Sequence, residues 1–218
     1  TYNSLINLFD SSSKGETVTP QTYPTVETSR QILKSQTQVG VNTFIHGRRL
    51  VKKENQPVVR MNRDTYYSMA VIDVSKGASI TMPKIPEGKY MSVQAVTEDH
   101  RIQAMMYGNG TFDLTTHIGT HLYVIIRLDA TFTEEEVKEI QNKMHIDANS
   151  NEKFTAFPVN KKSFTQVEDS LKNKIYVLAK REGVNVMRGM FTDPRDNSDN
   201  EFDEVNGPGA KNCDNTRY

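Results

Sequence analysis

The chain has 218 residues, enough for one full hydrophobic core with appendages or for two small domains. Lysine plus arginine and aspartate plus glutamate each number 27, so the net charge is zero and the chain lacks the basic field of proteins that bind nucleic acid through phosphates. No apolar run approaches the roughly 20 residues that a membrane-spanning helix needs, and the single cysteine, Cys213, excludes an internal disulfide framework.

The N-terminal residues predict an arm followed by a helix. Residues 1–24 hold a short apolar run and then a polar linker, as expected of an arm that packs on a neighbouring element or of a frayed helix. Thr25 is suited to cap a helix that extends to about Gln38, with Leu33 on its buried face. Gly40 then ends the helix, because glycine readily accepts the left-handed conformation that follows many helices.

Between residues 66 and 128 the sequence alternates apolar and polar residues and predicts a series of short strands. Strands joined by turns, with no helix between them, are typical of an antiparallel β-sandwich, because parallel pairing needs crossover helices. The apolar residues are expected inside, and polar ones such as Ser92 and Gln94 outside; Gly108–Gly110 predicts a hairpin turn. The predicted strands are 66–74, 78–82, 91–95, 102–106, 112–114 and 121–128.

After residue 129 the pattern becomes helical. Thr133 opens a capping box ahead of an apolar stripe, which predicts a helix over 133–145. Ser163 opens a second box, which predicts a helix over 163–182. Both helices are expected to pack on one face of the sandwich.

The expected fold is therefore mainly β, an antiparallel β-sandwich with an N-terminal helix and two C-terminal helices, α+β overall. The predicted parts are an N-terminal arm at 1–24, the β-sandwich domain with its flanking helices at 25–185, and an extended C-terminal tail at 186–218.

Several stretches of the sandwich read VVRMNRDTYYSMAVIDVSKGASITMP, GKYMSVQAVTEDH, YGNGTFDL and HIGTHLYVIIR, and VETSRQIL and NTFIHGR precede them. In this order, over residues 25–182, they resemble the bacterial family called domain of unknown function 1254. The resemblance implies an immunoglobulin-like β-sandwich, usually in exported bacterial proteins, with a second β-rich domain in larger members. It transfers no active site, because no catalytic residues are established for that family.

A first polar cluster surrounds the start of the strand at residue 66 and predicts a site for an anion or a polar ligand. Arginine forks bind carboxylate or phosphate through paired hydrogen bonds, and tyrosine rings stack on planar ligands. The alternative is a structural turn whose arginines pair with carboxylates at a sheet corner. The candidate ligand-binding residues are Arg60, Asn62, Arg63, Asp64, Tyr66 and Tyr67.

A second polar cluster, Glu98-Asp99-His100, ends a predicted strand. A carboxylate beside a histidine orients the imidazole as a general base, so these three are the candidate catalytic residues. The alternative is an ordinary polar strand terminus. Because the two clusters carry opposite charges at the ends of consecutive strands, they are expected to meet in space.

His117 and His121 are weak candidates for a metal site. If the strands on either side of Gly119 form one hairpin, the two rings face each other on the exposed side, with Cβ atoms about 5 Å apart. Two ligands are too few for a protein metal site, so the sequence favours no metal, and it predicts no cofactor. Motifs for a serine nucleophile elbow, a phosphate-binding loop and a zinc protease are absent.

Two functions stay open. One is an exported, periplasmic or secreted binding module that takes a small molecule or a protein as partner, without turnover. The other is a hydrolase-type enzyme with His100 as base and Arg60 or Arg63 holding an anionic group. No nucleic acid and no membrane span are expected, and assembly into a homo-oligomer is a further alternative.

Overall fold

A computed structural model describes residues 8–10, 15–50 and 64–181. They fall into two units: a helical unit within Thr1–Thr37, Glu98–Ile102 and Thr155–Arg217, and a sheet unit within Gln38–Thr97 and Gln103–Phe154. The helices are α1 (Tyr23–Val39), α2 (Glu134–Asn142) and α3 (Lys161–Arg181). The strands are β1 (Phe9–Asp10), β2 (Phe44–His46), β3 (Thr65–Asp73), β4 (Ala78–Met82), β5 (Met91–Thr97), β6 (Ile102–Tyr107), β7 (Gly110–Leu114), β8 (His121–Asp129), β9 (His145–Ala148) and β10 (Val159–Asn160).

Two antiparallel sheets form the sheet unit. The five-stranded sheet has the order β2-β3-β8-β5-β6, and the three-stranded sheet has the order β7-β4-β9. Strand β8 lies at the centre of the larger sheet, paired with β3 from Thr65↔Asp129 to Asp73↔His121. Its other edge pairs with β5 along the whole length of that strand.

The two sheets share one hydrophobic core, to which every second residue of each strand contributes. Ala70 of β3, Ile80 of β4, Val93 of β5 and Val124 of β8 have no exposed surface. Each large apolar side chain buried in this way stabilises the fold by about 1.5–3 kcal/mol. The mainly-β, α+β fold is thus confirmed, and the finer immunoglobulin-like topology stays a prediction.

The helical unit has a small aromatic centre. Strand β1 pairs in parallel with β10, and the Phe164 ring of α3 lies 5.0 Å from the ring of Phe9 and 5.2 Å from that of Tyr23. The backbone N–H of Val18 donates to the hydroxyl of Ser163 at 2.9 Å. Among the helices within the described ranges, none is long and apolar enough to cross a bilayer.

Two of the three predicted helix starts are wrong, because these helices begin earlier than predicted, and the third is confirmed. Helix α1 begins at Tyr23, before Thr25, so Pro24 lies in its first turn. Proline is tolerated there because it has no N–H that would be left unpaired. Helix α3 begins before Ser163, where the side-chain oxygen of Asn160 accepts the N–H of Ser163 at 2.8 Å and supplies the cap. The capping box at Thr133 forms as predicted.

The predicted packing of the C-terminal helices is confirmed for α2, whose Val137 and Ile140 enter the core of the sheet unit. In α3, Val167 and Leu171 are only half-buried, so the apolar stripe there is less buried than the sequence predicts. The packing of α3 on the sheets and the limits of the arm and tail stay predictions.

The connections around β7 differ from the sequence prediction. Strands β6 and β8 belong to the five-stranded sheet, whereas β7 belongs to the three-stranded sheet, so neither connection is a hairpin within one sheet. Gly108 at φ +76° and Gly119 at φ +70° turn the chain between the sheets. Alternation shows which residues face inward but does not show which strands pair.

Ser92 and Gln94 were expected on the exposed face of β5, and this is wrong. Their residual exposures are 0% and 7%. The five-stranded sheet is therefore buried on its second face at these positions, where a polar side chain is costly unless it is hydrogen-bonded.

Asp73, at the end of β3, is a fully buried carboxylate with many hydrogen-bond donors. It accepts from the N–H of Ser75 at 2.9 Å, the hydroxyl of Ser75 at 2.6 Å and the N–H of Glu152 at 2.9 Å, and from the hydroxyl of Ser150. Burial acts to raise its pKa, but these hydrogen bonds outweigh burial and hold the pKa well below its usual value.

We expect Asp73→Asn to lower the free energy of unfolding at pH 7 by about 2–3 kcal/mol, because charge-assisted hydrogen bonds are lost. The folded pKa is depressed, so the stabilisation by Asp73 is fully present above the unfolded value of about 3.9 and is lost as pH falls below it. Urea unfolding at pH 7 and at pH 3 should therefore show a smaller difference between the two proteins at pH 3.

Asp113→Asn is the matched control, since Asp113 is exposed on the three-stranded sheet. It should change the free energy of unfolding by less than about 0.5 kcal/mol. An Asp73→Asn effect as small as that of the control, or one independent of pH, would contradict the structural role of Asp73.

Candidate functional site

The first predicted polar cluster is only partly visible, because Arg60, Asn62 and Arg63 lie outside the described residues. Asp64 is exposed just before β3. The expected meeting of the two polar clusters therefore stays a prediction.

The paired tyrosines point to opposite faces of β3. Tyr66 is buried in the core, where burial raises its pKa and its hydroxyl donates to the carbonyl of Phe132 at 3.1 Å. Tyr67 lies on the opposite, second face of the sheet and is half-buried. Of the two rings, only Tyr67 is placed to contact a ligand.

Tyr67 belongs to a row of side chains that crosses three strands on the second face. Strand register sets Arg127 of β8 directly opposite Tyr67 on one side and Ser92 of β5 on the other. Residues directly opposite each other on antiparallel strands lie on the same face of the sheet. Gln94, two residues after Ser92 in β5, lies on this face as well. Tyr67, Ser92, Gln94 and Arg127 are called the Arg127 cluster below.

The guanidinium of Arg127 has two neutral partners. Its Nη1 donates to the Oε1 of Gln94 at 2.7 Å, and its central carbon lies 5.5 Å from the centroid of the Tyr67 ring. Both contacts suit a cation, but neither balances its charge. Within the described part of the chain, no carboxylate forms an ion pair with this half-buried arginine.

Asp129, the acidic residue nearest along β8, is engaged elsewhere. Its carboxylate accepts from the hydroxyl and N–H of Thr131 and from the N–H of Tyr90. The hydrogen bonds from Thr131 lower its pKa, so it is ionised at neutral pH. The negative charge of Asp129 is held by backbone and hydroxyl donors rather than by Arg127.

On the second face, two buried hydroxyls have no hydrogen-bond partner among the residues that the structure describes. They belong to Ser92 in the Arg127 cluster and to Thr65, two residues before Tyr67. A buried polar atom without a partner costs about 1–3 kcal/mol, and folded proteins keep few of them. A buried hydroxyl without a partner beside a cation is typical of a ligand-binding site.

An apolar strip borders the Arg127 cluster. Met69 and Ile125 form the next row of the same face, and Ile45 of β2 lies opposite Met69. All three are half-buried. The hydroxyl of Tyr123 donates to the sulfur of Met69 at 3.0 Å and fixes the position of that side chain. The second face thus presents a cation, an aromatic ring and an apolar surface side by side.

The second predicted polar cluster, Glu98-Asp99-His100, lies in the turn between β5 and β6. Asp99 is paired with Arg101 at 3.2 Å. His100 adopts φ +64°, a left-handed conformation that costs a non-glycine residue about 1–2 kcal/mol. Its ring is half-buried, and burial lowers its pKa even though Glu27 and Asp99 act in the opposite direction.

The tautomer of His100 follows from its hydrogen bonds. The Oγ1 of Thr28 lies 3.0 Å from the carbonyl oxygen of Pro24 and must donate to it, since a carbonyl only accepts. That hydroxyl therefore accepts from the Nδ1–H of His100 at 2.7 Å. In the neutral ring the free lone pair is then on Nε2, the atom that would accept a proton in catalysis.

The expected pairing of His117 with His121 is wrong. His117 is exposed and its Nδ1 lies 2.9 Å from the side-chain oxygen of Gln103. His121 is only 2% exposed, and its Nε2 lies 2.8 Å from the carbonyl of Glu152. The two histidines separate because β7 and β8 belong to different sheets. Throughout the described ranges, no three side chains of histidine, cysteine, aspartate or glutamate come together as a metal site would require.

The outer face of the three-stranded sheet carries a cavity of about 290 Å³. Asp113 and Asp147 lie on either side of Ser79 there, one on each neighbouring strand. Two carboxylates repel an anion, so this cavity and the Arg127 cluster differ in the charge that they favour.

The fold and the Arg127 cluster define a mainly-β protein of the α+β class with a candidate ligand-binding sheet face. Residues 41–112, which include β2 to β6, match the family described as Protein of unknown function (DUF1254). This match agrees, over residues 41–112, with the family resemblance that the sequence motifs carry. The match includes Tyr67, Ser92 and Gln94 but not Arg127.

Among solved structures, the crystal structure of the VPA0106 protein from Vibrio parahaemolyticus is similar, at 15% identity and a TM-score of 0.45. The likeness covers 79% of this chain and 52% of that one, so this chain spans about half the length of the Vibrio protein. No curated protein matches the chain.

Sequence reasoning singled out Tyr67 but missed Arg127, Gln94 and Ser92. The available signal was the position of Arg127 within the otherwise apolar run YVIIRL, where a charge is costly unless it has a role. Thr28, which orients His100, carried no signal because a threonine within a helix is unremarkable in sequence.

We expect nitrogen-15 NMR spectra at neutral pH to show His100 with a protonated Nδ1 and an unprotonated Nε2. Thr28→Val keeps the shape of the side chain but removes the hydroxyl, so the preference for this tautomer should be lost. Thr28→Ser, which retains a hydroxyl, should keep it. An Nε2–H tautomer in the unsubstituted protein would show that the ring is held in some other way.

Proposed function

We propose that this protein is a binding module that holds a small anion at the Arg127 cluster without turning it over. The observation that carries the proposal is the half-buried guanidinium of Arg127 at the centre of the sheet, whose partners in the described residues are a neutral amide and an aromatic ring. An arginine kept only for structure is usually paired with a carboxylate, because a buried charge without one is costly.

The position of the cluster supports a small molecule rather than a protein as ligand. Arg127 lies on a strand paired along both edges, so the site is a rigid sheet surface and not a mobile loop. Tyr67 and Arg127 are half-buried, which favours a ligand small enough to lie among side chains. Export to the periplasm or beyond, which the family resemblance implies, belongs to this proposal.

A hydrolase-type enzyme is the second candidate, and the observation in its favour is the oriented, neutral ring of His100. The test is hydrolysis of p-nitrophenyl acetate by the full chain and by His100→Asn, since asparagine also accepts a left-handed conformation. We expect equal rates, because binding without turnover needs no base. A rate that falls at least about tenfold in the variant would favour the enzyme instead.

Loss of the guanidinium should weaken anion binding. We expect the unsubstituted full chain to bind benzoate, phosphate or both when each is titrated separately by isothermal titration calorimetry. Arg127→Met should weaken that binding by at least about tenfold. Arg101→Met is the control, because Arg101 is exposed and already paired with Asp99, and it should bind as the unsubstituted protein does.

The double variant Arg127→Met with Gln94→Met separates a functional from a structural role. Replacing both members of a polar pair with apolar side chains of similar shape is close to neutral for stability or stabilising. We therefore expect an unchanged or higher free energy of unfolding in urea, together with lost binding. A loss of more than about 2 kcal/mol, or anion binding unaffected by either variant, would refute the proposal.

A further inference from the structure

We infer that the anion bound at the Arg127 cluster is a monocarboxylate with a short apolar or aromatic body. This inference rests on the proposed function and specifies its ligand. Three features of the second face carry it: the amount of charge, the free edge of the guanidinium and the adjoining apolar strip.

The charge available at the site suits a single negative charge. Arg127 is the only lysine or arginine in β3, β5 and β8. Its neighbours Tyr67, Ser92 and Gln94 are neutral, and ionised Asp129 lies two residues away on the same strand. A phosphate carries close to two charges at neutral pH and usually takes several cations or a nest of backbone N–H groups. A monocarboxylate is balanced by Arg127 alone.

The guanidinium offers a planar edge to a planar partner. Nη1 is engaged by Gln94, whereas Nε and Nη2 have no hydrogen bond within the described residues. These two nitrogens form the fork that binds both oxygens of a carboxylate in parallel. The hydroxyl of Ser92 lies directly across from Arg127, and it is buried without a hydrogen-bond partner among the described residues.

The apolar strip indicates that the ligand has an apolar part beside its carboxylate. Met69 and Ile125 lie one row from Arg127, a distance of about 7 Å along the strands. Both are half-buried, and Ile45 extends the strip on the edge strand. A carboxylate on Arg127 would therefore project its body over these side chains, where each buried methylene contributes about 0.8 kcal/mol. An acyl chain or a single aromatic ring fits this arrangement.

The test is calorimetric titration of the full chain with hexanoate, benzoate, acetate, inorganic phosphate and benzyl alcohol. We expect hexanoate or benzoate to bind at least about tenfold more tightly than acetate, because only they cover the apolar strip. Phosphate should bind more weakly than hexanoate or benzoate because it has no apolar part. Benzyl alcohol should also bind more weakly because it carries no charge.

Two variants, checked for folding by circular dichroism, test the two contacts separately. Arg127→Lys keeps the charge but removes the fork, and it should weaken hexanoate binding at least about tenfold. Ile125→Thr keeps a branched strand residue but shrinks the apolar strip, and it should weaken hexanoate binding while leaving acetate binding unchanged.

The outcomes distinguish the inference from the function on which it rests. Phosphate or acetate that binds as tightly as hexanoate, and is lost in Arg127→Met, would overturn the carboxylate inference and leave the anion-binding function standing. Hexanoate binding that is unchanged in Arg127→Lys would likewise overturn the inference. If no anion binds in a way that depends on Arg127, both the inference and the proposed function fail.

Discussion

Strand β8 is hydrogen-bonded along both of its edges, and this double pairing constrains the rest of the sheet unit. Its even-numbered residues, such as Val124 and Ile126, enter the core, so its odd-numbered residues must lie on the second face. A slip of one residue would carry Arg127 into the core and Ile126 out of it, which makes any other register very costly. The same pairing that builds the core therefore places a cation in the middle of the opposite face.

The buried polar groups of the sheet unit are of two kinds. Gln141 of α2 is 1% exposed, and its amide donates to the carbonyl of Gly47 and the hydroxyl of Ser68 and accepts from Arg48. Such a network is satisfied from within and holds α2 on β3. Its neighbour His46, whose pKa is lowered to about 4 by burial and by Arg48, stays neutral at pH 7 and adds no charge that would need balancing.

The Arg127 cluster is of the other kind, because it has more hydrogen-bonding capacity and charge than its described partners use. Within the described residues, the hydroxyls of Ser92 and Thr65 have no partner and the guanidinium has no balancing carboxylate, and each of these lowers the stability of the fold. Proteins tolerate such costs mainly where function requires the groups, and otherwise replace them with apolar side chains. The contrast with the buried and well-bonded Gln141 and Asp73 makes the Arg127 cluster the functional candidate.

The sequence by itself determined strands β3 to β8, the mainly-β class and the capping box at Thr133, because alternation and capping depend on residues only a few positions apart. It also singled out Tyr67. Only the tertiary structure decided that β7 and β8 belong to different sheets, that His121 is buried away from His117, and that Arg127 meets Gln94 and Ser92. Arg127 and Gln94 are 33 residues apart in the chain, and no local pattern encodes which positions of two distant strands will lie opposite each other.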